Sequence, residues 1–122
     1  MKSTTALVLA ATIAACAAGA RGAEQDAIER GNAHYLLFCA NCHGVDADGQ
    51  GPLARVLKVT PTDLRHLRAG GGDELVSERV LKAMDQRHEV PSPDGPRMPL
   101  FSENLEVKTI IEIGEYLKTV QR

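Results

Sequence analysis

Residues 39–43 read Cys39-Ala40-Asn41-Cys42-His43, and the reading of the chain turns on them. Two thiols three residues apart, in a turn or at a helix end, can reach the two vinyl groups on one edge of a porphyrin. The adjacent imidazole then lies under the ring, where it can ligate iron. This C-x-x-C-H spacing is that of covalent haem attachment. Other readings of the same residues are weaker. A thioredoxin-type redox pair needs a βαβ setting that the surrounding pattern lacks. A zinc centre would draw on Cys39, Cys42 and one or two of His34, His43, His66 and His88, with no second cysteine pair to complete the usual set. A disulfide across so short a loop would be strained.

Upstream of the motif, Ala27, Ile28, Gly31, His34, Tyr35 and Phe38 recur at three- and four-residue steps, the mark of a helix face. This helix is expected to start near Glu24 to Asp26, where acids suit the positive end of the dipole, and to run into Cys39. Downstream, Gly44, Gly49, Gly51, Pro52 and Pro61 punctuate what should be mostly loop. Thr62-Asp63 can cap a short helix through Leu67. After Gly70-Gly71-Gly72, Asp73 suits the N-cap of a helix through about Gln86, with Leu75, Val76, Val80 and Met84 on its apolar side. Pro91, Pro93, Pro96 and Pro99 exclude regular helix or a central strand from that stretch. A last helix is expected from Ser102 or Asn104, burying Val107, Ile110, Ile111, Gly114, Leu117 and Val120. No period-2 strand pattern competes, so the expected class is all-α, with three to five helices joined by long loops.

Iron in such a site usually takes a second axial ligand, and Met84, Met98, His34, His66 and His88 are the sequence's candidates. Met98 stands out because it lies in the non-helical Arg97-Met98-Pro99 stretch, where flanking prolines reduce the entropy of holding a thioether over a ring. Met84 falls on a helix face, where methionine is more often core filler. The three histidines read most simply as surface or rim groups.

Residues 1–20 have the layout of a secretory signal: Lys2 in the n-region, then an apolar run from Ala6 to Ala15 that is too short to span a bilayer. Ala18-Gly19-Ala20 offers small residues to an ordinary signal peptidase. Ile13-Ala14-Ala15-Cys16 resembles a bacterial lipobox, whose cysteine would be lipidated and become the new first residue. Either exit accounts for the odd one of three cysteines in an exported chain. A single mature domain over 21–122 in the periplasm, lipid-anchored if Cys16 is retained, is therefore expected.

By this point the chain resembles a class I, single-haem cytochrome c of the bacterial periplasmic kind, over essentially all of residues 25–120. The resemblance is carried by Gly31, Tyr35 and Cys39 in the first helix, by the haem motif followed by Gly44, and by Gly49-Gln50-Gly51-Pro52. Met98-Pro99 matches the family's ligand loop, and Tyr116-Leu117 its last helix. It implies one covalent haem c with thioethers at Cys39 and Cys42, His43 as proximal ligand and Met98 as distal ligand. It also implies that the Pro52 carbonyl accepts a hydrogen bond from the other His43 nitrogen, and that Gly31 lets the first and last helices cross closely near Tyr35 and Tyr116. The chain departs from many relatives in having no Trp. Arg55 and Arg97 are the candidate propionate partners, and the stretch from Val80 to Pro96 is longer and more polar than in the smallest relatives. A closed His/Met iron suits outer-sphere electron transfer, so the expected function is a carrier rather than an enzyme. Its partners would be a dehydrogenase, oxidase or reductase, either met by diffusion or served as a dedicated subunit. The competing function is a haem-based gas sensor or haem enzyme with a labile or open sixth position.

Composition fits this reading. The 122 residues carry 14 Lys and Arg against 16 Asp and Glu, and the leader takes away only Lys2, so the basic face that sequence-independent nucleic-acid binding needs is lacking. The densest basic group, Arg55, Lys58, Arg65 and Arg68, reads as a solvated loop before it reads as a docking patch. Two Tyr, two Phe and no Trp make a thin core, and a haem would supply the missing apolar mass. The haem-free chain should accordingly be largely unfolded; a cooperative thermal transition in haem-free protein matching that of the holoprotein would refute this.

Overall fold

The computed structural model describes residues 3–85, Met98 and residues 105–122, with side chains from Gly19 onward except that of Asp85. His88, Arg97, Pro99, Phe101, Ser102 and Asn104, and the side chain of Cys16, lie outside the described residues. Helix α1 spans Ser3–Phe38, α2 Ala40–His43, α3 Asp73–Asp85 and α4 Val107–Thr119, with a 3-10 turn at Leu64–His66. There is no strand among the described residues, and the domain is all-helical as its periodicity indicates. No helix of the described residues is long and apolar enough to cross a membrane.

Each element has a local cause. Helix α1 begins well before Glu24 and runs for 36 residues, because residues 5–20 are rich in alanine, the best helix former, and no proline separates them from Glu24, so Gly19 and Gly22 are tolerated. Asp63 caps the 3-10 turn by accepting from the Arg65 amide at 3.0 Å, as Thr62-Asp63 leads one to expect. Helix α3 opens on Asp73 and Glu74, whose negative charges suit its N-terminus.

Helix α4 packs against both α1 and α3, and the core gathers around it: Tyr35, Cys39, Ala40, Ala47, Val76, Val80, Met84, Ile110, Ile113 and Leu117 are all buried. Met84 is thus core filler. The two helix faces drawn for α1 and α3 are the ones buried. Of the expected α4 stripe, Ile110, Gly114 and Leu117 are buried and Val120 is half-buried, but the stripe is turned at its edge: Ile113 is buried while Val107 and Ile111 are exposed. The cause is visible at the α1–α4 crossing. A side chain at Gly31 would overlap the backbone carbonyl of Glu112 and come to 3.0 Å from Tyr116 Cβ, so only glycine permits this approach. The contact turns Glu112 inward, where Arg30 Nε donates to its carboxylate at 2.7 Å and His34 Nε2 lies 3.4 Å away. Rotating α4 to satisfy that charge carries Ile113 inward and Ile111 outward.

Glu112 is the one buried charged residue among those described. The hydrogen bond from Arg30 holds its carboxyl below the usual carboxylate range, against the opposing effect of burial. A carboxyl whose folded pKa lies below its unfolded value contributes stability that is present above the ordinary glutamate range and lost as pH falls through the folded value. Glu112→Gln should therefore be less stable than the parent at neutral pH. The difference should shrink as the solution is acidified below that range, as read from urea midpoints of the holoprotein across pH 2–7.

Candidate functional site

Helix α1 delivers the cysteine motif directly. The Cys39 amide donates to Tyr35 O at 2.8 Å, and the Cys42 and His43 amides both donate to Cys39 O, at 3.1 and 2.9 Å. The motif is thus one further helical turn, offset from α1 at Cys39. Tyr35, fully buried, donates its hydroxyl to Gly44 O at 2.6 Å, and burial pushes its phenol pKa upward, so it stays neutral and a donor. Gly44, with φ +82°, ends the turn and reverses the chain.

The following loop is strapped back onto the motif. Gly49 N donates to His43 O at 2.8 Å, Gly51 N to Cys42 O at 3.1 Å and Leu53 N to Asn41 O at 2.9 Å. At Gly51 a Cβ would collide with the carbonyls of Ala40 and Asn41, so the strap needs glycine there. A second tie, from Leu64 N to the carbonyl of the buried Ala47 at 2.8 Å, brings residues 62–64 alongside.

That tie decides the partner of His43. Its Nδ1 lies 2.9 Å from the Thr62 carbonyl. A carbonyl only accepts, so the proton sits on Nδ1 and the Nε2 lone pair is left for a metal. This corrects the expectation for Pro52: its residue is exposed and follows Gly51 into a separate turn, in which Ala54 N donates to Gly51 O at 2.9 Å. Sequence reasoning missed Thr62 because the acceptor is a backbone group, which any residue type supplies. The signal available was the neighbouring Asp63 cap.

Cys39 and Cys42 both carry free thiols, the first buried and the second half-buried. Burial pushes the Cys39 thiol up to about 12, an environment that suits a neutral sulfur such as a thioether better than a thiolate. No group of three His, Cys, Asp or Glu suited to a metal ion occurs among the described residues. His34 is taken up with Glu112 and stacks on Phe38, while His66 lies beside Asp63 at 3.6 Å; neither is drawn to the motif. Met98 is half-buried and packs on the core cluster that contains Cys39 and Ala40.

The loop strapped beneath the motif exposes Leu53, Val56, Leu57 and Val59, Val56 to 78%. Four large aliphatic groups open to water within seven residues form an apolar surface suited to cover by a flat apolar ligand. Two thiols, an imidazole with its outer nitrogen already engaged and this apolar loop together fit a covalently held porphyrin. Two of the basic side chains nearby are already ion-paired: Arg65 grips Asp63 at 2.7 Å, and Arg68 pairs with Asp73.

A family model described as Cytochrome c matches residues 28–121. No curated protein and no solved structure matches. The match begins within α1 and covers the motif, α3 and α4.

The Tyr35 hydroxyl is the buried tie between α1 and the end of the motif, although Gly44 O also accepts from Ala47 N at 3.1 Å. Tyr35→Phe should lower the stability of the holoprotein by about 1–2 kcal/mol, measured by urea unfolding followed in the haem absorbance.

Proposed function

This chain belongs to the cytochrome c family, and on that premise we propose that it carries single electrons between respiratory-type redox proteins in the periplasm, its iron held by His43 and Met98. The family implies a covalent haem c, an electron-carrying role and redox-protein partners in general. The finer assignments rest on this chain's own residues. The observation that carries them is the motif turn, where two free thiols flank an imidazole whose Nδ1 proton is spent on Thr62 O at 2.9 Å.

Haem supplies reversible one-electron chemistry between ferric and ferrous iron. Cys39 and Cys42 would fix it by thioether bonds, so the ring cannot dissociate between partners. His43 offers Nε2 in a fixed orientation, because its other nitrogen is held by the backbone. Met98 brings a soft thioether, which favours ferrous iron and moves the potential upward. The aliphatic loop 53–59 would help to keep water from the ring, and exclusion of water disfavours the more highly charged ferric state. If His43 and Met98 both bind the iron, no site would remain for substrate, and the same two residues would serve in both oxidation states. This supports a carrier over a catalyst.

Lys2, the apolar run to Ala15 and the small residues Ala18-Gly19-Ala20 support export, with a leader over 1–20 and a mature domain over 21–122. Ordinary cleavage gives a freely diffusing carrier. Lipidation of Cys16 gives the same domain tethered to a membrane, and the intact mass of the matured protein distinguishes the two. The competing role as gas sensor or haem enzyme requires an exchangeable sixth position. The dithionite-reduced holoprotein should show a sharp c-type spectrum that carbon monoxide leaves unmoved, and Met98→Ala should bind the gas with a Soret shift. A parent spectrum that shifts under the gas withdraws Met98 and the carrier role together.

A further inference from the structure

Two hydrogen bonds of one side chain join the C-terminus to the segment that holds His43, and a third anchors that side chain to α4. Gln121 Nε2 donates to Leu64 O and to Leu117 O, both at 2.8 Å. Its Oε1 accepts from the Arg68 amide at 2.9 Å. The next residue adds a backbone bond, from Arg122 N to Arg65 O at 2.9 Å. Gln121 thus closes residues 64–68 onto the end of α4. Thr62 stands two residues ahead of this clasp, and its carbonyl takes the Nδ1 proton of His43 at 2.9 Å.

From this we infer that Gln121 is a positioning residue for the haem iron: it holds the Thr62 carbonyl against His43 and so sets the potential. The argument rests on His43 being the iron ligand, as proposed above. A short Nδ1–H···O bond gives the imidazole anionic character and makes it a stronger donor to ferric iron, which lowers the potential. The Leu64–Ala47 bond ties one side of the segment to the motif loop, and Gln121 fastens the other side to α4. Loosening the clasp lets the Thr62 carbonyl retreat, weakens the bond and raises the potential. Thr119 lies on the same final turn, but its hydroxyl bonds within the helix to Tyr116 O at 2.7 Å, so it shares the location without the connection.

The test uses holoprotein of the parent, Gln121→Ala, Gln121→Glu and Thr119→Ala. The glutamate variant keeps an acceptor for Arg68 N and loses the donor to Leu64. In both Gln121 variants the equilibrium constant for reduction by a fixed mediator should rise several-fold, and the His43 Nδ1 proton should exchange faster with solvent by NMR. Thr119→Ala should match the parent in both. Imidazole resonances of His43 in the parent without the large shifts of an iron ligand would sink the ligand assignment, whatever Gln121 does. Shifted resonances with unchanged potential and exchange in both variants overturn the clasp. If neither Gln121 variant accumulates with haem, deletion of Arg122 alone, which removes one bond to Arg65, should move both readouts the same way by less. Parental values there overturn the proposal too.

Discussion

The close crossing of α1 and α4 at Gly31 is the constraint on which the rest of the structure depends. Because no Cβ intervenes, the Glu112 backbone lies directly on α1, and the two helices share Tyr35 and Tyr116, whose ring centroids are 5.3 Å apart. One turn beyond Tyr35 the same helix face presents Cys39. The crossing therefore sets the height and rotation at which the cysteine motif leaves the core. Tyr35 then acts at both ends, buried in the crossing and bonded to Gly44 at the end of the motif. Residues outside the motif thus decide where its thiols and imidazole sit.

Much of this was legible from residue spacing, and the exceptions share a cause. The buried faces of α1 and α3 follow from Gly31, Tyr35, Val76, Val80 and Met84, because helical periodicity is a property of the segment itself. The Asp63 cap is equally local. The misread stripe of α4 is different: Ile111 and Ile113 are equivalent in apolarity, and the choice between them falls to Glu112. Its burial depends on Arg30 and His34, about eighty residues earlier in the chain. No window on α4 contains that information. The Thr62 carbonyl was hidden for a related reason, since backbone acceptors leave no mark on residue identity. Proline at position 52 is a visible cue, but the acceptor is set by the fold of the strap.

Charge is spent in this domain on fastening loops rather than on forming a face. Arg65 lies against Asp63, Arg68 against Asp73, Arg30 against Glu112 and Lys118 against Glu115. The basic group at 55–68 is thereby reduced, of its four cations, to Arg55 and Lys58, both exposed. Of these pairs only Arg65–Asp63 and Arg68–Asp73 involve the irregular segment between the motif and α3, where partly exposed pairs add weakly to the backbone bonds that already hold it. Fixing such a loop by scattered ion pairs leaves little charge to steer a partner. Association would then lean on short-range apolar contact, which suits brief encounters over small areas.

The apolar loop 53–59 and the free thiols express one demand. A chain with four aromatic residues and no tryptophan has too little large apolar surface to close its own interior around the motif. The strap through Gly49, Gly51 and Leu53 spends its backbone bonds on the motif, and Leu53, Val56, Leu57 and Val59 stand exposed beside it. A core completed from outside the polypeptide would resolve both features: the ring that takes the thiols would also shield the aliphatic side chains. Folding and cofactor attachment are then coupled through burial as well as through ligation. This explains why so short a domain tolerates so much irregular backbone. The loop between the motif and α3 is hydrogen-bonded to the motif at one end and to the C-terminal turn at the other.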